Sequence, residues 1–249
     1  MSSSQNLDEV RRLEALAFRG WPALESLDVA GWHLRFSGAY TKRANSINAL
    51  EAIASTDIEA VEAPYRERGM APVWRLTPLA PPAINGLLEA RGYRAVERSF
   101  LQVCSLHDRF AADPAVAILP TPTPGWVAAF ATHSPVRAEH RETMQRMLHA
   151  IAPPAGFAFV EHQGRPMAMA IGAVEGDHMG LFDVLVMPEA RRQGLARRVT
   201  ESLYAWAWQR GARFAYLQVV ATNAAALPLY QRQGFRTVYD YEYRIPPTS

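Results

Sequence analysis

Val184-Leu185-Val186-Met187-Pro188-Glu189-Ala190-Arg191-Arg192-Gln193-Gly194-Leu195-Ala196 runs from an apolar strand through a glycine-containing turn into a helix marked by Leu195, Val199, Leu203 and Trp206 at helical spacing. A strand ending this way aims several unpaired main-chain N–H groups at one point, with the positive end of the helix dipole behind them. Such a point is a seat for a pyrophosphate. Gly194 has no side chain to hold an anion away, Ala196 lets the turn close on a ligand, and Arg191, Arg192, Arg197 and Arg198 raise the local potential. Strand-to-helix turns also carry glycine and arginine without any ligand, so the stretch by itself leaves both readings open. No G-x-x-x-x-G-K-S/T and no G-x-G-x-x-G occurs, which removes the usual nucleoside triphosphate and dinucleotide seats.

Working outward, residues 136–152 read as an amphipathic helix with Met144, Met147, Leu148 and Ile151 inward. Residues 157–162, 167–174 and 179–187 read as strands, parted by Gln163-Gly164 and Glu175-Gly176-Asp177. Past the helix at Gly194 come a strand at 214–220, a helix from about 224 to 233 and a strand at 237–245.

A second motif stands downstream, Asn223-Ala224-Ala225-Ala226-Leu227-Pro228-Leu229-Tyr230-Gln231-Arg232-Gln233-Gly234-Phe235. Together the two segments resemble the GCN5-related N-acetyltransferase (GNAT) superfamily: its Q/R-x-x-G-x-G/A loop at 191–196, and its N-x-x-A-x-x-L-Y-x-x-x-G-F helix at 223–235. The resemblance covers roughly 156–245. It implies an α/β fold with a mixed, mostly antiparallel sheet flanked by helices, and acetyl transfer from acetyl-CoA to a primary amine by direct attack. It also implies site residues. Val184, Leu185 and Val186 would run beside the pantetheine arm, and Arg191, Arg192, Gln193, Gly194, Leu195, Ala196 and Arg197 would wrap the pyrophosphate. Asn223 would hold the pantetheine side, and Tyr230 would protonate the departing thiolate. A glutamate used as base by some ribosomal-protein acetyltransferases falls on Gln218, which cannot serve. Asp183 is then the first choice of base, because an acid in an apolar strand needs a partner or a task. A structural pairing with an arginine is the competing reading for Asp183; His178, His162 and Glu161 are the other nearby groups.

Sliding the chain along itself by 142 residues lays Arg68-Gly69 on Arg210-Gly211 and Gly92-Tyr93-Arg94 on Gly234-Phe235-Arg236. The expectation is two tandem GNAT-like units: a degenerate one at 1–112, a proline-rich linker at 113–125 and a catalytic one at 126–249. Pro81 stands where the second unit has Asn223, Leu88 where it has Tyr230, and Ala52 where it has Gly194, so the first unit lacks the cofactor groups. Residues 31–46, alternating and then polar and basic, are expected to pack on the catalytic unit and form part of the acceptor pocket, with Arg43 and Asn45 bearing on acceptor affinity; the competing reading is a strand and loop serving only the first unit's core.

Composition bounds the rest. Lys plus Arg total 26 against 24 Asp plus Glu, a formal charge of +2 that does not mark a nucleic-acid or membrane-surface protein. Lys42 is the only lysine. The single cysteine, Cys104, excludes an internal disulfide and reads as a small buried hydrophobe. No histidine pair has metal-ligand spacing, and His140 and His149 are expected on the surface of one helix. The N-terminus reads as an amphipathic helix (Leu7, Val10, Leu13, Leu16) rather than a signal peptide, and the expected location is cytoplasmic. The expected partner is a small-molecule or peptide amine, with no nucleic acid and no membrane, in a monomer or homodimer. The alternative from another class is a non-catalytic acyl-CoA sensor.

Overall fold

The computed structural model describes residues 3–49, 51, 56–108, 110–134 and 136–247. Ala52, the counterpart of Gly194, lies outside them. The first half runs α1 (Ser3–Gly20), β1 (Glu25–Val29), β2 (Trp32–Phe36), β3 (Ile47–Ala49), α2 (Ile58–Glu67), β4 (Trp74–Leu76), α3 (Pro82–Ala90) and β5 (Arg94–Ser105). The second runs β6 (Val116–Leu119), α4 (Pro124–His133), α5 (Arg141–His149), β7 (Ala155–His162), β8 (Arg165–Glu175), β9 (His178–Val186), α6 (Leu195–Trp208), β10 (Phe214–Val220), α7 (Leu227–Arg232) and β11 (Arg236–Ile245).

Local chemistry explains most boundaries. The β7–β8 turn places Gln163 and Gly164 both at positive φ, 51° and 73°, the pair of conformations whose twist matches a tight hairpin. α5 is shorter than the helix expected over 136–152: Ala138–His140 form a separate 3-10 turn ahead of it, and Pro153 biases Ala152 away from helical backbone at the other end. α7 begins later than 224, since the Asn223 side chain first accepts the N–H of Ala226 at 3.0 Å and turns the chain, and Pro228 then occupies the first helical turn. His140 is a correction. It lies in a 3-10 turn, 8% exposed, against Tyr40 at 6.1 Å, because residues 37–45 of the first half fold over it. Residues 113–125 are more than a connector: Ala115 to Leu119 lack proline, and Val116–Leu119 pair antiparallel with β7 as an edge strand. Cys104 is buried, which pushes its thiol up to about 12.

The strands form one continuous mixed sheet in the order β1-β2-β3-β4-β11-β5-β10-β9-β8-β7-β6, with helices on both faces. Among the described residues only β3–β4 and β9–β10 are parallel. The 142-residue offset has a counterpart in the pairing register of this sheet. β5 pairs with β10 of the second half, and β11 pairs with β4 of the first, so each half's last strand lies against the other half. Between them, Ser99 pairs with Tyr241, residues that are themselves 142 apart. On either side the register is self-mirroring: Arg94↔Ile245 and Ala95↔Arg244 map, under the same shift, onto Arg236↔Val103 and Thr237↔Gln102. A local two-fold axis therefore passes through the Ser99–Tyr241 pair.

α1 buries Val10, Leu13, Leu16 and Ala17, and carries Glu14 to the middle of the sheet. There Arg75 of β4 and the Tyr239 hydroxyl of β11 both donate to the Glu14 carboxylate, with Arg75 Nη2 at 2.9 Å from Oε1. The side chains of Arg75 and Glu14 are 2% and 3% exposed. Removing one charge from such a pair leaves the other buried without a counter-ion, which costs more than the pair itself gains. Glu14→Gln should accordingly lower the unfolding free energy by about 3 kcal/mol, read as a lower urea midpoint at unchanged slope.

Candidate active site

The parallel pairing of β9 with β10 runs from Phe214↔His178 to Leu217↔Leu181 and stops, although β9 continues to Val186 and β10 to Val220. The cause lies on the other edge of β9. Between Ile171↔Phe182 and Met169↔Leu185, β8 advances two residues while β9 advances three, so β9 carries a bulge. Asp183 sits in it at φ 47°, a left-handed conformation that an aspartate tolerates better than most residues. Val184, Leu185 and Val186, half-buried beyond the bulge, have no ladder partner on the β10 side.

β9 leads through Met187 and a 3-10 turn, Pro188–Ala190, to Arg192 at φ 63° and Gly194 at φ 75°. The first intrahelical bond of α6 is from Arg198 N to Gly194 O, at 3.1 Å. The amides of Leu195, Ala196 and Arg197 are thus the orphan donors of the helix start, with no acid in the first turn to take them. A Cβ built on Gly194 meets nothing within 4 Å, so the turn faces open space. Arg191, Arg192, Gln193 and Arg197 are exposed around it, and Gln193 Nε2 donates to Glu189 O at 3.2 Å. Arg198 points elsewhere, to Asp113 at 2.6 Å.

Tyr230 projects from α7 and is 7% exposed, edge-on to Phe235 at 5.7 Å. α7 is fixed on α6 by a residue with no role expected of it, Gln233: its Nε2 donates to Thr200 Oγ1 at 2.7 Å, and its Oε1 accepts from the Tyr204 hydroxyl at 3.1 Å. Burial, with the Asp183 charge adding to it, pushes the Tyr230 hydroxyl up to about 12. Asn223 is exposed at the end of β10, its Oδ1 engaged by Ala226.

Asp183 is not alone. Arg43 Nη2, from the first half, donates to Asp183 Oδ1 at 2.7 Å, and the two side chains are 23% and 21% exposed. The Arg43 guanidinium lies over the Trp21 ring at 5.0 Å. Asn45 does not reach the site. It shapes the loop, accepting at Oδ1 from the amides of Ser37 and Ala39 at 2.6 and 3.0 Å and donating to Thr41 O at 2.7 Å. Tyr40, given no role from sequence, has its hydroxyl pushed upward by burial and then by the Asp183 charge. Nothing along the chain links Tyr40 to Asp183; the fold alone brings them together. His178 stands at the far end of β9, against Asp177 at 2.8 Å and Phe214, while Glu161 and His162 are exposed on β7. Among the described residues no three His, Cys, Asp or Glu side chains gather as a metal site, and no helix is long and apolar enough to cross a membrane.

An opened pair of strands beside a helix start rich in free amides, with a buried phenol across from a carboxylate, can seat an elongated phosphorylated ligand and hold a proton near its inner end. A tyrosine held protonated by the fold favours the native state below the unfolded value of about 10, and that contribution fades as pH rises through the folded value. An absorbance titration of tyrosinate should therefore show one ionisation near pH 12 that is missing in Tyr230→Phe, with native stability falling between about pH 10 and about 12.

Comparison with known proteins places the chain among acetyltransferases. Residues 8–244 match the family described as "Probable histone acetyltransferase Rv0428c C-terminal". The uncharacterized N-acetyltransferase YobR of Bacillus subtilis (strain 168) is 25% identical over 249 residues, covering 96% of this chain and 99% of that protein. The ribosomal protein bS18 alanine N-acetyltransferase of Escherichia coli (strain K12) is 42% identical over 72 residues, which span 29% of this chain and only 49% of that enzyme. In fold, the chain is similar to a GCN5-related N-acetyltransferase from Kribbella flavida, with a TM-score of 0.68 and 16% identity over 96% of each chain.

Proposed function

The chain belongs to the GNAT superfamily, in the family described as "Probable histone acetyltransferase Rv0428c C-terminal", and from that premise we propose that it moves the acetyl group of acetyl-CoA onto a primary amine. The catalytic unit in this reading is 126–249, with 1–112 a degenerate copy and 113–125 the stretch joining them. Pro81 and Leu88 in place of Asn223 and Tyr230 support the assignment of chemistry to the second half. The observation that carries the reading is the gap between β9 and β10, which opens between the free amides at Gly194 and the Asp183–Tyr230 neighbourhood.

Acetyl-CoA brings an acetyl group already activated as a thioester. The residues present fit its diphosphate end, since Gly194 leaves open space before the amides of Leu195, Ala196 and Arg197, and Arg191, Arg192 and Gln193 flank them. The unpaired edge of Val184, Leu185 and Val186 lines the arm, and the turn at Asn223 borders it. Asp183 takes one proton from the incoming ammonium, the free amine attacks the carbonyl carbon, and the carbon–sulfur bond breaks. Tyr230 gives its hydroxyl proton to the sulfur and recovers one from the new amide nitrogen. Holding two reactants in line supplies much of the rate, and no covalent enzyme intermediate is required.

One observation favours the sensor reading: the Arg43 contact occupies the carboxylate that would act as base. Thiol release separates the two. Tyr230→Phe should lower kcat about a hundredfold while the dissociation constant for acetyl-CoA stays within about twofold of wild type. Acetyl-CoA binding with no amine-dependent thiol release would instead identify a sensor.

A further inference from the structure

Beside the Asp183–Arg43 pair, on the α1 side of the sheet, lies a small, partly enclosed cavity of about 10 Å³, room for one water at its base. Arg35 of β2, Arg43, Arg75 of β4 and Gln218 of β10 line it, closed over by Phe18 and Trp21 of the first helix and the turn after it. Three guanidinium groups in one small buried space are unusual. Their counter-charges are Glu14, which takes Arg75, and Asp183, which takes Arg43. Arg35, 3% exposed, has no carboxylate hydrogen-bonded to it among the described residues, Glu14 acting on it only through space, and donates instead to the main-chain oxygens of Phe18, Trp21 and Arg43. One positive charge is left over, and burial with the neighbouring Arg75 charge lowers the Arg35 guanidinium to about 9. Gln218 adds donors rather than acceptors. Its Oε1 accepts from the Tyr241 hydroxyl at 3.2 Å, so its NH2 end is what remains to offer. The bond to Asp183 uses only one of the five N–H donors of Arg43.

Position matters as much as charge. Gln218 is the first residue of β10 past its last pairing with β9, and Asp183 is the bulge residue that opens the gap. The surplus positive charge therefore sits at the inner mouth of the gap. Arg43 and Asp183 both keep about a fifth of their side chains in solvent, so an incoming ligand can reach their ion pair.

We infer that this cluster is the subsite for a carboxylate carried by the acceptor, which makes the acceptor a small amino acid-like zwitterion with its amine next to its carboxylate. The inference rests on the acetyl-transfer reading above and narrows its substrate. A planar carboxylate matches the guanidinium fork of Arg43 and can exchange with Asp183 on it. The exchange frees the Asp183 carboxylate at the moment an ammonium arrives beside it, and one proton passes from that nitrogen to Asp183. The amine of a protein N-terminus brings no such anion, because its first carboxyl group is spent in a peptide bond.

Two measurements on the full-length chain test this separately from catalysis. By calorimetry at constant ionic strength, N-acetylglycine should bind saturably and N-acetylglycinamide should not. The binding should weaken at least about tenfold in Arg43→Gln and also in Gln218→Glu, which leaves Arg43 in the chain but sets a carboxylate of the protein's own among the lining guanidiniums to compete with the ligand. By thiol release, free amino acids should exceed their amides at least about tenfold in kcat/KM, and Arg43→Gln should bring that ratio to near one. Equal binding of acid and amide, or amides and short peptides serving as well as free amino acids, overturns the inference and leaves acetyl transfer standing. Carboxylate binding that vanishes in both variants, with no thiol release for any amine, supports the subsite and overturns the transfer reading instead.

Discussion

The antiparallel ladder between β5 and β11 is the contact on which the rest of the molecule depends. Each strand is the last of its own half, yet each borders the other half: β5 lies against β10, and β11 against β4. Neither half finishes its sheet from its own sequence. The exchange puts main-chain hydrogen bonds, which a buried segment cannot leave unmade, at the junction of the halves. It also fixes where the first half's β2–β3 loop falls, and that loop supplies Arg43 to Asp183. A side chain from one half thus completes the charge balance of the other.

Buried charge is concentrated at this junction. Glu14 takes donors from β4 and β11 at once, and Arg35 holds the end of α1 and the loop at Arg43 through three carbonyl oxygens. Ion pairs of this kind contribute little net stability, because desolvation offsets most of their attraction. Their value is in geometry. An apolar junction could slide by a residue, whereas one in which each guanidinium must meet a named acceptor fits in a single register.

The sequence made the second half legible because its signals are local. Apolar runs parted by turn residues mark β7 to β9, Gly194 marks the start of α6, and apolar spacing marks its buried face. Boundaries failed where a side chain or a proline intervened, as Asn223 and Pro228 do ahead of α7, and Pro153 after α5. The 142-residue offset is visible in two short matches, but the neighbours that β5 and β11 take are not, since pairing partners leave no trace in spacing. Asp183 stands out in sequence as an acid in an apolar strand, and the fold supplies the arginine partner that such a position calls for, Arg43, while its charge also reaches Tyr230. Gln233 and Tyr40 escaped notice. Their partners are brought near by packing alone, and a polar residue within a helix or loop does not announce what it will touch.

Lys42, the only lysine, donates to Glu97 at 2.6 Å and directly precedes Arg43. The chain consequently offers a single side-chain amine to any acylating reagent, and places it one residue from the group that spans the two halves. An amine-directed fluorophore would find one lysine to modify, and the dye would sit on the very loop that abuts the opened strands.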